Sequence, residues 1–98
     1  MTYLMKCHRN PKGKVVAACD PDLLGQTFTD GDISLTVDAS FYDGEEVTLD
    51  AILEELTSAK TGNFVGPTLI EALLAEGLIR DDQIKHIDGT PHSQVFYL

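Results

Sequence analysis

The chain has 98 residues, of which 43% are hydrophobic, and its 16 acidic and 7 basic side chains give a formal net charge of −9. This length supports one small core and a single domain over residues 1–98, and the negative charge disfavours phosphate-rich partners unless the few cations cluster. No stretch reaches the roughly 18 apolar residues of a membrane span, and the N-terminus lacks a signal-peptide pattern, so we expect a cytoplasmic protein that does not bind membranes.

The first half of the chain predicts mainly β-structure. Residues 2–8 and 14–19 have the composition of strands and are joined by Asn10-Pro11-Lys12-Gly13, whose Pro and Gly favour a tight turn. Residues 33–37 alternate apolar and polar side chains and predict a third, half-buried strand. Residues 44–46 are predicted to form a polar loop.

Four of the seven cations lie in the first hairpin, at Lys6, Arg9, Lys12 and Lys14. Two interpretations are open. The cations form a local basic edge on an acidic body, or they discourage an exposed strand edge from pairing with other chains.

Residues 20–25 have the order of a capped helical turn, in which Asp20 is the expected N-cap and Gly25 ends the turn. The same segment partly matches a calcium-binding loop. Leu24 and Gly31 stand where that loop requires ligands, so a calcium site is not predicted.

The second half predicts two amphipathic helices. The first follows a Thr48 cap, and its apolar residues recur at helical spacing: Leu49, Ile52, Leu53 and Leu56. Residues 61–66 precede the second helix and are not assigned to a strand. That helix is predicted to begin at Thr68, which has capping-box spacing to Glu71, and to end at Gly77.

The C-terminal segment predicts one helical turn at residues 80–83 and then a hairpin. Residues 84–87 and 95–98 read as strands around Gly89-Thr90-Pro91, which places His92 at the exit of a rigid turn. The predicted fold class is therefore α+β, with an N-terminal β-hairpin plus a third strand, two amphipathic helices and a C-terminal β-hairpin.

Cys7 and Cys19 are expected to be free and mostly buried thiols. A cytoplasmic compartment keeps thiols reduced. In a hairpin with both side chains directed inwards, Cys7 would lie opposite Val15 or Ala17, which leaves Cys19 beyond the reach of a relaxed disulfide.

Catalytic and cofactor signals are weak. Cys19 with His92 and Asp20 is the one grouping that could activate a nucleophile, and buried structural cysteine is the competing interpretation. Zinc is not predicted, because no C-x-x-C pair occurs and the adjacent Cys7 and His8 would point to opposite faces of a strand, and no phosphate-binding loop is present. We expect no cofactor, no metal and no catalytic residue.

Two polar segments are the best candidates for a binding site. His92, Ser93 and Gln94 combine donors and acceptors next to the predicted turn. Asn63, Gly66 and Thr68 surround the start of the second helix, whose free N–H groups could hold an anion. The competing interpretations are a turn-forming Asn63 and a His92 that satisfies backbone groups.

The stretch from Leu73 through Gly77-Leu78-Ile79-Arg80 to Gly89 and Val95-Phe96-Tyr97-Leu98 resembles the second helix and wing of a winged-helix domain. That resemblance implies a nucleic-acid binder. The would-be recognition helix, residues 68–76, departs from the pattern because it carries Glu71 and Glu76 and no Lys or Arg, and these charges repel duplex phosphates.

Several short segments together resemble a small archaeal family known as domain of unknown function four-two-four: Ala18-Cys19-Asp20, Leu23-Leu24-Gly25, Thr27-Phe28, Asn63-Phe64-Val65-Gly66, and Gly89 to Val95. Membership implies an intracellular α+β domain and an association with the translation-related proteins of archaea. High internal salt would then account for the acidity and would screen repulsion from RNA.

We expect a non-catalytic binding module whose partner is RNA or a translation-related protein. Its patch would comprise Asn63, Gly66, Thr68, His92, Ser93 and Gln94, with Cys19 and Asp20 as accessory residues. The alternatives are a small hydrolase-like or thiol enzyme using Cys19 and His92, and a winged-helix nucleic-acid binder. A homo-oligomer is compatible with either class.

Overall fold

The computed structural model describes residues 1–97. Eight strands and three α-helices follow one another in this range, together with two short 3₁₀ turns at Pro21–Leu23 and Asp81–Gln83. The elements are β1 Tyr3–Asn10, β2 Gly13–Cys19, β3 Thr27–Asp30, β4 Ile33–Thr36, α1 Ala39–Tyr42, β5 Glu45–Val47, α2 Leu49–Leu56, β6 Ala59–Val65, α3 Pro67–Ala75, β7 Ile84–Ile87 and β8 Thr90–Phe96.

Six strands form one sheet in the order β5-β1-β2-β6-β8-β7, and β3 and β4 form a separate hairpin. All neighbours in the large sheet are antiparallel except β2 and β6, which are parallel. The predicted α+β class, both terminal hairpins and both amphipathic helices are confirmed. No helix within residues 1–97 is long and apolar enough to cross a bilayer.

The two faces of the large sheet are covered differently. On the first face, α2 and α3 pack a core around Phe64, Ile52 and Leu69. On the second face, α1 and the β3–β4 hairpin cover a smaller core around Cys19, Val65 and Tyr42. Part of the second face stays uncovered, and this part positions the candidate site.

The central strand β6, which residues 59–65 form, was not predicted from the sequence. Gly62 and Asn63 are poor strand residues when they are judged locally. Gly62 is required here because a side chain at this position would collide with the ring of Phe64, which is fully buried. Packing of Phe64 into the core therefore overrides the local turn preference.

The C-terminal turn also differs from the prediction. Asp88 and Gly89 both have positive φ, 52° and 78°, and they join Ile87 to Thr90 as a two-residue hairpin turn. Strand β8 consequently begins at Thr90, so His92 lies inside a strand rather than at the exit of a turn.

The predicted polar loop at residues 44–46 is wrong in part, because Glu45–Val47 forms the short strand β5 beside β1. The hairpin register differs from the expectation as well. Cys7 pairs with Val16, and Cys19 pairs with Leu4, so the two thiols lie on opposite faces of the sheet. Both are free, as predicted, although Cys7 is only half-buried.

Helix α3 ends as the sequence predicts and lacks the basic surface of a winged-helix recognition helix. Gly77 adopts φ 71°, its N–H donates to Leu74 O, and Leu78 N–H donates to Leu73 O, which is a Schellman motif. The apolar face of α3 packs against the six-stranded sheet, and Glu71 and Glu76 face solvent. The face that α3 exposes is therefore acidic and does not present the basic surface of a recognition helix.

Candidate binding face of the sheet

The N-terminus of α3 is occupied by the carboxylate of Asp20. Oδ2 accepts a hydrogen bond from Thr68 N–H and Oδ1 accepts one from Leu69 N–H, both at 2.9 Å. Asp20 is the N-cap residue of the turn that follows it, as expected, but its side chain makes no capping hydrogen bond there. The predicted Thr68 cap is wrong, since Gly66 is the N-cap and no α3 side chain caps the helix.

Gly66 allows this arrangement. Its φ is 117°, and a Cβ at this position would lie 2.5 Å from Cγ of Asp20. Its N–H donates to Pro91 O at 3.0 Å, which ties the end of β6 to β8. The anion expected at the start of α3 is therefore supplied by the chain itself, and Gly66 and Thr68 offer no vacant anion site.

Burial dominates the electrostatics of Asp20, which is 4% exposed. Burial raises the pKa of this carboxyl, while the N–H groups of Thr68 and Leu69 lower it, and the net shift is upwards. The two donors thus offset part of the cost of placing a charge in the interior. Asp20 has a structural role at the junction of β2, β6 and α3.

Asn63 and Gln94 are brought together on the second face. They are direct partners between β6 and β8, which places their Cβ atoms about 5 Å apart. Asn63 is half-buried and Gln94 is exposed. Asn63 therefore lies in mid-strand and does not form the turn that was its alternative interpretation.

Two rows of residues cross four strands of this face. One row runs His8, Val15, Thr61, Phe96, and the next runs Lys6, Ala17, Asn63, Gln94. Helix α1 covers the β1 end of both rows, where the His8 ring stacks on Phe41 at 4.8 Å. We call the uncovered remainder the open strip: Val15, Thr61, Asn63, Gln94 and Phe96.

The open strip has an unusual charge and polarity for this protein. Neither row contains an acidic residue, although 16 of the 98 residues are acidic. Phe96 is 71% exposed beside the two amides. Lys60 borders the strip as the extra residue of a β-bulge, because Lys14 pairs with Ala59 and Val15 with Thr61. The strip is therefore a neutral to basic surface.

His92 belongs to the next row of the same face. It pairs with Val65 on β6 and with Lys85 on β7, and it lies two residues from Gln94. It lines a small pocket of about 170 Å³ with Gln83, Lys85 and Gln94, and also a groove of about 540 Å³ between β4 and β7. Burial first, and the charge of Lys85 second, lower the pKa of the His92 imidazole.

Ser93 does not join the patch, because adjacent residues of a strand face opposite sides. It points into the first face and is 1% exposed, and its hydroxyl has no partner among the described residues. Of the predicted binding residues, Asn63, Gln94 and His92 therefore lie on the second face of the sheet. Ser93, Gly66 and Thr68 lie elsewhere.

Cys19 and His92 do not form a nucleophile–base pair. Val65 lies between them, since it pairs with Cys19 on one side and with His92 on the other. Two strand spacings separate their backbones by about 10 Å. Cys19 is fully buried, and burial together with the charge of Asp20 raises its pKa to about 12. This environment is the opposite of the one that activates a thiol.

Sequence reasoning missed Val15, Thr61 and Phe96 as members of the same surface. The available signal was the i, i+2 spacing of Thr61 with Asn63 and of Gln94 with Phe96, which marks one face of a strand. Within residues 1–97 no group of three or more His, Cys, Asp or Glu side chains is placed to hold a metal ion.

The family model described as "Protein of unknown function (DUF424)" matches residues 8–98. The chain belongs to this family. A solved structure of an uncharacterized conserved protein from Methanopyrus kandleri is 28% identical, with a TM-score of 0.76 over 98% of this chain and 91% of that chain. No curated protein matches this sequence. The resemblance inferred from the sequence is thereby confirmed.

Replacing Asp20 with Ala is expected to lower the free energy of unfolding by about 2 kcal/mol, because two N–H groups at the start of α3 lose their acceptor. Asp20→Asn keeps one acceptor oxygen and should cost about half as much. Urea unfolding measures both effects. Asp22→Ala, which removes an exposed carboxylate from the same segment, is the control, and equal losses in all three variants would contradict the assigned role.

The imidazole of His92 is expected to titrate below its ordinary value of 6.5 in an NMR pH series. Because the unfolded chain binds this proton more tightly, the protein should lose stability as pH falls below 6.5, and the loss should level off below the folded pKa. Lys85→Gln should move the His92 midpoint upwards. A midpoint at or above 6.5 in the native protein would contradict the burial of this ring.

The two thiols should react at different rates with a thiol-specific reagent such as Ellman's reagent. Cys7 is half-buried and should react slowly, because burial and the neighbouring Glu55 raise its pKa. Cys19 should react only when the protein unfolds. Rapid, selective modification of Cys19 in the folded protein would instead support a thiol enzyme.

Proposed function

We propose that the protein is a non-catalytic binding module and that the open strip is its binding surface, with single-stranded RNA as the ligand. The observation that carries this proposal is an exposed, acid-free strip on a strongly acidic chain, with Phe96 next to Asn63 and Gln94. A protein that repels anions over most of its surface keeps this part of the sheet free of acidic side chains.

The side chains of the strip fit an unstacked base. An exposed aromatic ring on a sheet offers a stacking surface, and the two amides offer both donors and acceptors for base edges. Lys60 at the bulge and Lys85 beside His92 are exposed and can contact phosphates. Double-stranded nucleic acid fits less well, because none of the helices within residues 1–97 presents a basic face to a groove.

The net charge of −9 sets the expected strength of binding. A few phosphate contacts on an acidic body give modest affinity and a shallow dependence on salt, with a slope of about −2 in log K against log salt for three contacts to a single strand. Base stacking and amide contacts must therefore supply much of the binding energy.

A protein partner from the translation apparatus is the second candidate. The exposed Phe96 favours it, since aromatic anchors are enriched at protein interfaces. A protein partner would also tolerate the acidic charge more readily than RNA would.

Phe96→Ser is expected to weaken binding of a fluorescein-labelled oligouridine 12-mer roughly tenfold in fluorescence anisotropy, because the stacking ring is lost. Asn63→Ala and Gln94→Ala should each weaken binding by a smaller factor. Ile33→Ser is the matched control, because Ile33 is an exposed apolar side chain (59% exposed) on β4 outside the strip.

Equal binding by the Phe96→Ser and native proteins would contradict the assignment of the strip. Absence of RNA binding, combined with capture of a ribosomal or translation protein that Phe96→Ser abolishes, would support the protein-binding alternative. Circular dichroism confirms that each variant keeps its fold.

A further inference from the structure

The outer edge of β1 is open over part of its length. Strand β5 pairs only with Tyr3, Leu4 and Met5. Beyond Met5, no described strand pairs with Lys6–Asn10 on the side away from β2. This leaves about 17 Å of strand edge without a neighbour, which is the length of a typical strand.

The unpaired backbone groups of this edge belong to Cys7 and Arg9. Alternate residues of an antiparallel strand direct their N–H and C=O groups to opposite neighbours. Met5 directs its carbonyl towards β5, where Gly44 lies so close to it that a side chain at residue 44 would collide. Cys7 and Arg9, two and four residues further along, direct their groups to the same side.

The edge borders a groove of about 340 Å³, which is lined by Met5, Lys6, Cys7, Arg9, Gly44, Glu45 and Glu55. Glu55 of α2 faces Cys7 across this groove, with 3.6 Å between Sγ and Oε1. Outside the groove, Lys6 Nζ donates to Ser40 O of α1 at 2.9 Å, and the His8 ring lies against Phe41. The groove ends at Gly44 and Glu45, where β5 begins.

The groove is lined by two cations, Lys6 and Arg9, and two carboxylates, Glu45 and Glu55, of which Glu45 lies at the β5 end. The open stretch of β1 itself, residues 6–10, contains no acidic residue. Arg9 is exposed, and Lys12 follows at the turn. The carboxylate of Glu55 is engaged by Lys14 Nζ at 2.7 Å, so its charge is largely compensated. Since Lys6 lies on one face of the strand and Arg9 on the other, each face of an added strand would meet a cation.

We propose that the outer edge of β1, from Lys6 to Asn10, binds an extended acidic peptide segment of a partner protein, which adds to the sheet as an antiparallel strand in line with β5. Main-chain hydrogen bonds to Cys7 and Arg9 supply the register, and acidic side chains on both faces of the peptide meet Lys6 and Arg9. Cations on an exposed strand edge discourage pairing with basic strands. At this edge, Lys6 and Arg9 therefore favour a strand that carries acidic side chains.

The probe is the peptide acetyl-Val-Glu-Val-Val-Glu-Val-amide, whose two Glu side chains are three residues apart and therefore lie on opposite faces of a strand, as Lys6 and Arg9 do. Two matched peptides serve as controls. One control replaces each Glu with Lys, and the other carries N-methyl groups on alternate residues, which removes strand hydrogen bonds without changing charge. Binding is followed by NMR, through the chemical shifts and the hydrogen exchange of the Cys7 and Arg9 amides.

The acidic peptide should slow exchange of both amides at least severalfold at saturation, and neither control peptide should do so. Lys6→Glu and Arg9→Glu should each weaken binding roughly two- to fivefold, as expected for exposed charge pairs. Lys85→Glu, which reverses a cation at the opposite edge of the sheet, should leave binding unchanged and serves as the control.

Three results would overturn the proposal. The first is no change at Cys7 and Arg9 at millimolar peptide. The second is equal protection by the Lys-containing or the N-methylated peptide. The third is protection of these amides that rises with protein concentration in the absence of peptide, because the edge would then be covered by a second copy of the chain.

Discussion

The buried carboxylate of Asp20 is the constraint on which the arrangement of the sheet and α3 depends. It follows β2 directly, its own N–H donates to Val65 O at 3.1 Å, and its side chain holds the first amides of α3. Three elements are thereby fixed at one point. A buried carboxylate is costly, so the site requires both helix donors and the absence of a side chain at Gly66.

The elements with local signals could be predicted from the sequence. The Pro-Lys-Gly turn, the apolar spacing of α2 and the Gly77 terminator of α3 each depend on neighbours within a few residues. The β6 strand and the role of Asp20 could not be predicted in this way. Asp20 binds an amide 48 residues away, and β6 is a strand because Phe64 is drawn into the core.

The candidate site was predicted only in part, because successive side chains of a strand alternate between the two faces of the sheet. Asn63, His92 and Gln94 share a face, whereas Ser93 points through the sheet to the other side. The expected strand over residues 95–98 left all three polar residues 92–94 next to a turn, whereas β8 begins at Thr90 and directs their side chains alternately to the two faces. The acid-free character of the open strip appears only when strands β1, β2, β6 and β8 are aligned, because its residues are scattered over the whole sequence.

The parallel contact between β2 and β6 is the seam between two locally connected halves of the sheet. On one side lies the β1–β2 hairpin, to which β5 is added by a non-local pairing with β1, and on the other lie β6, α3, β7 and β8, which are close in sequence. Each half can form through short loops, whereas the seam closes only after the chain returns through β3, β4, α1, β5 and α2. Closing the seam is therefore a non-local step with a large loop-entropy cost, and it is the natural candidate for the slow event in folding.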